Sequence, residues 1–326
     1  MKKKKRWAAI LKAFVGLGLM ALLIWWSGPK KLFDALKQIP HGSYLFALAV
    51  YSIGTAIRTI RWQRLLAAVG EKFPLVRLVQ FQFIGAFFNQ FLPTSIGGDS
   101  ARIFYLCREN VSWEKAVGAV LVERIAGMLM LLFMGVAAAA AGYHMYQDKS
   151  IIAVLLIFIL ASVVATLVLF SGRAMQLLIS MVEWIKFFDV SAALKRFSKG
   201  LRAYRSHPGV LIFVAVVSMT FQFVVIGLFY FFSRQMGMDL HFIQFFIFVP
   251  IFLALSLTPI SMNGIGVRDW AFALMLTQAG AERAQAGALS MCYWLLTLGA
   301  GLIGAIIFVA QGNATVEAVQ ESSMGE

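Results

Sequence analysis

Two apolar stretches of this chain break at points where a membrane span has to run on. The first is interrupted by Leu92-Pro93-Thr94-Ser95-Ile96-Gly97-Gly98-Asp99-Ser100-Ala101-Arg102, the second by Thr258-Pro259-Ile260-Ser261-Met262-Asn263-Gly264-Ile265-Gly266-Val267-Arg268-Asp269. Each has a proline, a turn rich in Ser and Gly, and an arginine with an acid opening a new apolar run. A hydrocarbon core of about 30 Å takes about 20 helical residues. The runs before the prolines, roughly residues 75–92 and 242–257, and the runs after them, such as 101–107, are too short or too polar at their tips. The breaks therefore predict two re-entrant helical hairpins that enter the bilayer, turn near its middle and leave on the same side. Irregular backbone at that depth survives only beside protein or water, so the tips are expected to line a buried cavity.

The rest of the chain fits a bilayer. Of 326 residues, 60% are hydrophobic and 13% charged, against about 45–50% and about 25% for a soluble domain. The mean hydropathy is +0.80. The expected fold is all-α and polytopic, with about six transmembrane helices plus the two hairpins. The net charge of +14 raises nucleic acid as a partner. The basic residues, however, sit between apolar spans, where they act as orientation signals and anionic-lipid contacts, and no nucleic-acid role is expected.

A lysine-rich start precedes a run over residues 7–26 that is too long for a signal peptide and lacks a small-residue cleavage site. It is expected to be an uncleaved first span with a cytoplasmic N-terminus. A short amphipathic helix follows outside. Further spans are expected near 43–66, 115–141, 151–170, 209–232 and 284–309, with interfacial helices over 173–206. Residues 1–310 would form one membrane domain, and 311–326 a disordered cytoplasmic tail. This topology puts 20 of the 29 Lys and Arg residues on the cytoplasmic side, as the positive-inside rule requires.

Residues 43–142 read span, hairpin, span, and 209–310 repeat the order upside down. Inverted repeats with broken helices meeting at the midplane are a transporter design. The charges inside the spans need a role, because each is costly in hydrocarbon. Arg58 lies two turns inside the second span, on the face of Ser52 and Thr55; Arg61 and Arg64 are read as snorkelling to the interface. Asp99 is either a helix cap or a site residue, and Arg102 follows one turn on. Gly97 and Gly98, like Gly264 and Gly266, feed a helix N-terminus whose free N–H groups suit an anion. Arg268 and Asp269 repeat that arrangement, or merely neutralise each other. Glu123 and Arg124 lie two to three turns into the third span; Glu123 is either a salt-bridge partner of a hairpin arginine or a proton or ion carrier. Arginine forks fit phosphate oxygens. The aromatic hairpin arms (Phe81, Phe83, Phe87, Phe88; Phe242, Phe245, Phe246, Phe248) suit either acyl chains or packing. The two cysteines, Cys107 and Cys292, are not expected to pair, and no zinc spacing or Walker A pattern occurs. No metal, cofactor or catalytic residue is expected.

At these residues the chain resembles the family of lysylphosphatidylglycerol synthase membrane domains and flippase-like proteins. The resemblance rests on Phe87-Phe88-Asn89-Gln90-Phe91-Leu92-Pro93 through Gly97-Gly98-Asp99-Ser100-Ala101-Arg102, on Val122-Glu123-Arg124, and on Pro259-Ile260-Ser261 through Gly264-Ile265-Gly266-Val267-Arg268-Asp269. It covers roughly residues 10–310. Larger family members carry an aminoacyl-transferase domain after the membrane part; none follows here, so no enzymatic activity is expected. What the resemblance implies is translocation of an anionic phospholipid or polyprenyl-phosphate-linked lipid across the cytoplasmic (inner) membrane. The alternative is a non-transporting partner of envelope-biosynthesis enzymes, such as a glycosyltransferase.

Overall fold

The computed structural model describes residues 2–91, 97–141, 160, 204, 206–256, 261 and 264–324. Ten helices and no strand form among the described residues. They are α1 (Lys2–Ser27), α2 (Pro29–Lys37), α3 (His41–Ala68), α4 (Leu75–Phe91), α5 (Gly97–Arg108), α6 (Trp113–Ala141), α7 (Pro208–Gln235), α8 (Phe242–Leu255), α9 (Val267–Gln278) and α10 (Arg283–Met324). Four stretches, His41–Ala68, Trp113–Ala137, Pro208–Gln235 and Arg283–Gln311, are long and apolar enough to cross a membrane. At 28 residues, α3 is about 42 Å long. These four match the expected second, third, fifth and sixth spans, and α1 covers the first. The expected span at 151–170 and the interfacial helices over 173–206 fall almost wholly outside the described residues. Helix α10 runs as far as Met324, over most of the residues expected to form the tail.

Local chemistry sets the breaks. Pro29 opens α2 after Gly28, whose φ of 75° suits glycine. The helix is amphipathic as expected: Leu32 and Ala35 are buried while Lys30, Lys31 and Lys37 are exposed. Pro250 sits within α8 against Gly135 of α6, with an approach of 3.4 Å from the Cβ position of that glycine.

Both interrupted stretches are folded back on themselves. Along α4 and α5, Arg77 pairs with Glu109 at 2.7 Å, the Phe81 and Tyr105 rings stack at 4.9 Å, and Asn89 meets Gly98. Such a ladder, with numbers rising on one arm and falling on the other, defines an antiparallel hairpin. Gly85 and Gly98 lie where the arms touch, and a Cβ on Gly98 would run into the Gly85 carbonyl. In the second hairpin the Phe252 and Phe272 rings meet at 4.9 Å, and Arg268 reaches Ser256. Residues 92–96, 257–260 and 262–263, at the two turns, lie outside the described residues.

The packing pairs obey an exchange. Swapping α3, α4, α5 and α6 for α7, α8, α9 and α10 turns α4–α10 into α8–α6 and α3–α10 into α7–α6, all of which are packed pairs. Within the units, α3–α4, α4–α5, α5–α6 and α3–α6 correspond to the packed pairs α7–α8, α8–α9, α9–α10 and α7–α10. The α3–α7 pair maps onto itself. Each hairpin thus leans on the last helix of the other unit. One apolar core gathers around α7, α8, α9 and the first part of α10, and a second lies where α3, α4, α5 and α6 meet. Four of the eight hairpin phenylalanines, Phe81, Phe83, Phe245 and Phe248, are buried in these cores, so for those four the packing reading holds.

Candidate functional site

Between the units lies a cavity of about 250 Å³. From the first unit, α3 contributes Tyr51, Thr55, Arg58 and Arg61; the first hairpin contributes Gln82, Asn89, Gly98, Asp99 and Arg102; α6 contributes Glu123 and Arg124. Ser256, Arg268, Tyr293 and Thr297 face it from the second unit. The lining therefore holds five arginines and two acids.

Glu123 is the hub. It is 2% exposed, and its Oε1 accepts from Arg61 Nε at 3.2 Å and Nη2 at 2.9 Å. Its Oε2 accepts from Arg102 Nη2. Arg61 Nη1 donates to Ser218 Oγ of α7 at 2.6 Å, and that hydroxyl donates to the Val214 carbonyl. Asp99 accepts from Arg124 Nη1 and, at 3.4 Å, from Arg102 Nη1. The chain Arg61–Glu123–Arg102–Asp99–Arg124 ties α3, α5 and α6 together, and Arg102 also lies 4.0 Å over the Trp62 ring. Glu123 is thus the salt-bridge partner of a hairpin arginine, one of the two roles expected for it.

Arg58 and Arg268 stand outside this chain. Arg58 lies 4.7 Å over the Phe221 ring, and its buried Nε has no hydrogen-bond acceptor. Arg268 is 3% exposed, lies over the Phe252 and Tyr293 rings, and donates to Ser256 Oγ at 3.2 Å. Its Nε stands 3.7 Å from Asp269 Oδ1, at the outer edge of an ion pair.

The expected site residues divide on this geometry. Arg58, Gly98, Asp99, Arg102, Glu123, Arg124 and Arg268 converge on the cavity. Gly97, Gly264, Gly266 and Asp269 are buried but do not face it. Gly266, at φ 84°, presses against α1, where a Cβ would come 2.7 Å from the Gly16 carbonyl and from Leu19. Nearby, Trp270 Nε1 donates to the Leu19 carbonyl at 2.8 Å. Asp269 accepts the Gly266 N–H at 2.8 Å and so holds the start of α9.

Two expectations need correcting. Arg61 does not snorkel: it is 6% exposed and bound to Glu123 and Ser218, because a carboxylate one helix away outbids a distant interface. The spacing contained the signal, since Arg58 and Arg61 are three apart and share a helix face. The N–H groups of Gly98 and Gly266 are not free for an anion either. Gly98 donates to Asn89 Oδ1 at 2.7 Å and Gly266 to Asp269, so the cationic character of the cavity comes from guanidinium groups. Ser218, Trp62 and Ser256 escaped sequence reading altogether, for an isolated Ser or Trp in an apolar helix carries no signal of its neighbours.

Long apolar helices packed around a buried, charged cavity define a multi-pass helical membrane protein. The chain belongs to the family of the lysylphosphatidylglycerol synthase TM region, which matches over residues 13–304. It is also similar to a UPF0104 membrane protein of Pyrococcus horikoshii, at 25% identity over 128 residues. That match takes in 38% of this chain and 38% of the relative, well under two thirds of its length.

Proposed function

We propose that the protein carries an anionic, phosphate-bearing lipid across the cytoplasmic membrane, with the headgroup held in the cavity and the tails left in the bilayer. The observation that carries this reading is the cavity itself. Five arginines against two acids, drawn from both units, line a space inside a bundle of apolar helices. Arginines held at that depth without matching acids are costly, and a phosphate oxygen set is the partner their geometry fits. Ligand pockets run from about 300 to 1,000 Å³, so a 250 Å³ space suits a headgroup and not a whole lipid.

Transport follows from the exchange symmetry of the packing. If the second unit is inserted upside down relative to the first, each hairpin guards one side of the membrane, and the site opens to either side in turn. Both termini are then cytoplasmic. The reading assigns no bond-making or bond-breaking step, because both acids on the cavity wall are held by arginines.

The test is reconstitution into vesicles carrying a fluorescent phosphate lipid, with quenching from outside as the readout. Wild type should expose the inner-leaflet probe faster than empty vesicles, and the Arg102→Ala, Arg268→Ala double variant should not. Equal rates for wild type, double variant and empty vesicles, across anionic phospholipids and polyprenyl phosphates, would sink the proposal.

A further inference from the structure

We infer that the cavity selects a dianionic phosphate group, a phosphomonoester or a pyrophosphate diester, over a singly charged phosphodiester, and that Arg58 and Arg268 are its direct ligands. This deepens the reading of the cavity as a lipid-phosphate site and rests on it.

The argument is a charge balance. Among the described residues, five guanidinium groups and two carboxylates face the cavity, an excess of three positive charges. Asp269, behind Arg268 at 3.7 Å, lowers the local excess to two. A phosphodiester would leave one buried cation uncompensated; a dianion leaves none, and uncompensated buried charge is what such a site most strongly disfavours.

The partners say which cations remain available. Arg61 and Arg102 both bind Glu123, and Arg102 and Arg124 both reach Asp99. Arg58 lies over an aromatic ring and, among the described residues, is in no ion pair, although Glu123 is within electrostatic reach; its buried Nε–H lacks an acceptor. Arg268 touches a hydroxyl and two rings, and its buried Nε–H, 3.7 Å from Asp269 Oδ1, likewise lacks an acceptor within hydrogen-bond distance. Buried donors are nearly always satisfied, yet three guanidinium Nε–H groups on the cavity wall, those of Arg58, Arg102 and Arg268, have no acceptor among the described residues. Arg102 is already held by Glu123 and Asp99 through its other nitrogens, so it is at Arg58 and Arg268 that acceptor oxygens are missing. The two arginines come from different units, α3 and α9, and flank one aromatic wall: Arg58 lies over Phe221, which meets Tyr51; Tyr51 meets Tyr293; and Tyr293 lies under Arg268. An anion reaching both would bridge the units at their shared site.

The experiment compares two ligands that differ by one charge. Farnesyl phosphate is dianionic at pH 8, its second pKa being about 6; its methyl ester has the same tail and a single charge. Binding of each to the full-length protein in phosphatidylcholine nanodiscs is measured at equilibrium, with inorganic pyrophosphate as a soluble control. The expected result is that farnesyl phosphate binds tighter than its ester by about tenfold or more, as one extra charge pair in a partly buried site would give. Arg58→Gln and Arg268→Gln should each erase that preference, while Arg58→Lys retains part of it. Equal binding of the two lipids to wild type overturns the inference and leaves the lipid-phosphate reading intact, a comparison that needs no variant to fold. Binding of neither lipid nor pyrophosphate overturns both. Pyrophosphate binding as tightly as farnesyl phosphate supports selection of a multiply charged phosphate and overturns the lipid as its source.

Discussion

Replacing Glu123 with Gln keeps the shape of the side chain and removes its charge. In the folded protein this strips Arg61 and Arg102, at 6% and 5% exposure, of the carboxylate that accepts three of their hydrogen bonds. Arg102 keeps a 3.4 Å contact to Asp99 and the Trp62 ring, and Arg61 keeps Ser218. Breaking a buried ion pair by removing one partner costs about 3–5 kcal/mol, chiefly because the other charge is left buried and alone. At about 2–4 °C per kcal/mol, the scale for domains somewhat smaller than this one, the melting temperature should fall by about 6 to 20 °C. The assay is the melting of detergent-solubilised protein followed by intrinsic fluorescence, with Arg61→Gln and the double variant measured alongside. The double variant should lose less than the sum of the two single losses, since neutralising Arg61 removes one of the stranded charges. A Glu123→Gln protein that melts within a degree or two of wild type yet no longer moves lipid would refute this reasoning. Glu123 would then be a carrier or ligand, not the brace that joins three helices.

Three further outcomes follow from the same geometry. Gly98→Ala drives a methyl group into the Gly85 carbonyl and the Asn89 carboxamide; the expected loss is about 1–3 kcal/mol, read as a lower melting temperature, whereas Gly70→Ala, whose Cβ position has nothing within 4 Å, should lose less despite its positive φ. Asp269→Ala removes the acceptor for the Gly266 N–H and the neighbour of Arg268, so it should be more destabilising than Asp269→Asn, which keeps an acceptor; the cap alone accounts for about 0.5–2 kcal/mol. Arg77→Ala breaks an ion pair whose side chains are 45% and 37% exposed, and the melting temperature should move by no more than about 1 kcal/mol warrants.

Much of the fold was legible because the bilayer leaves few options. A run such as residues 209–232 is too apolar and too long for anything but a span, and α7 is there. The two broken stretches were legible for the converse reason: a proline and paired glycines within apolar sequence demand a break, and in the first the ladder from Arg77–Glu109 to Asn89–Gly98 shows the chain doubling back. The site was partly legible. Arg58, Arg102, Glu123 and Arg268 declared themselves by being charged within apolar sequence, where charge is rare and has to be accounted for.

What a linear pattern does not carry is who meets whom. Arg61 and Arg64 are the same residue type on one helix, yet the first is buried on Glu123 and the second is exposed beside Phe213. The difference lies in α6 and α7, far away in sequence, which bring Glu123 and Ser218 to Arg61 but, among the described residues, only the ring of Phe213 to Arg64. Gly264 and Gly266 read like Gly97 and Gly98, but α1 packs onto Gly266 and closes that turn off from the cavity. Sequence alone therefore determined that the chain is a helical membrane protein with two broken helices and an arginine-rich interior, because desolvation acts on each residue type wherever it stands. Which arginines are neutralised, and which keep open N–H donors, was decided only by the packing of the two units, since pairing depends on distances of a few ångströms that the order of residues does not encode.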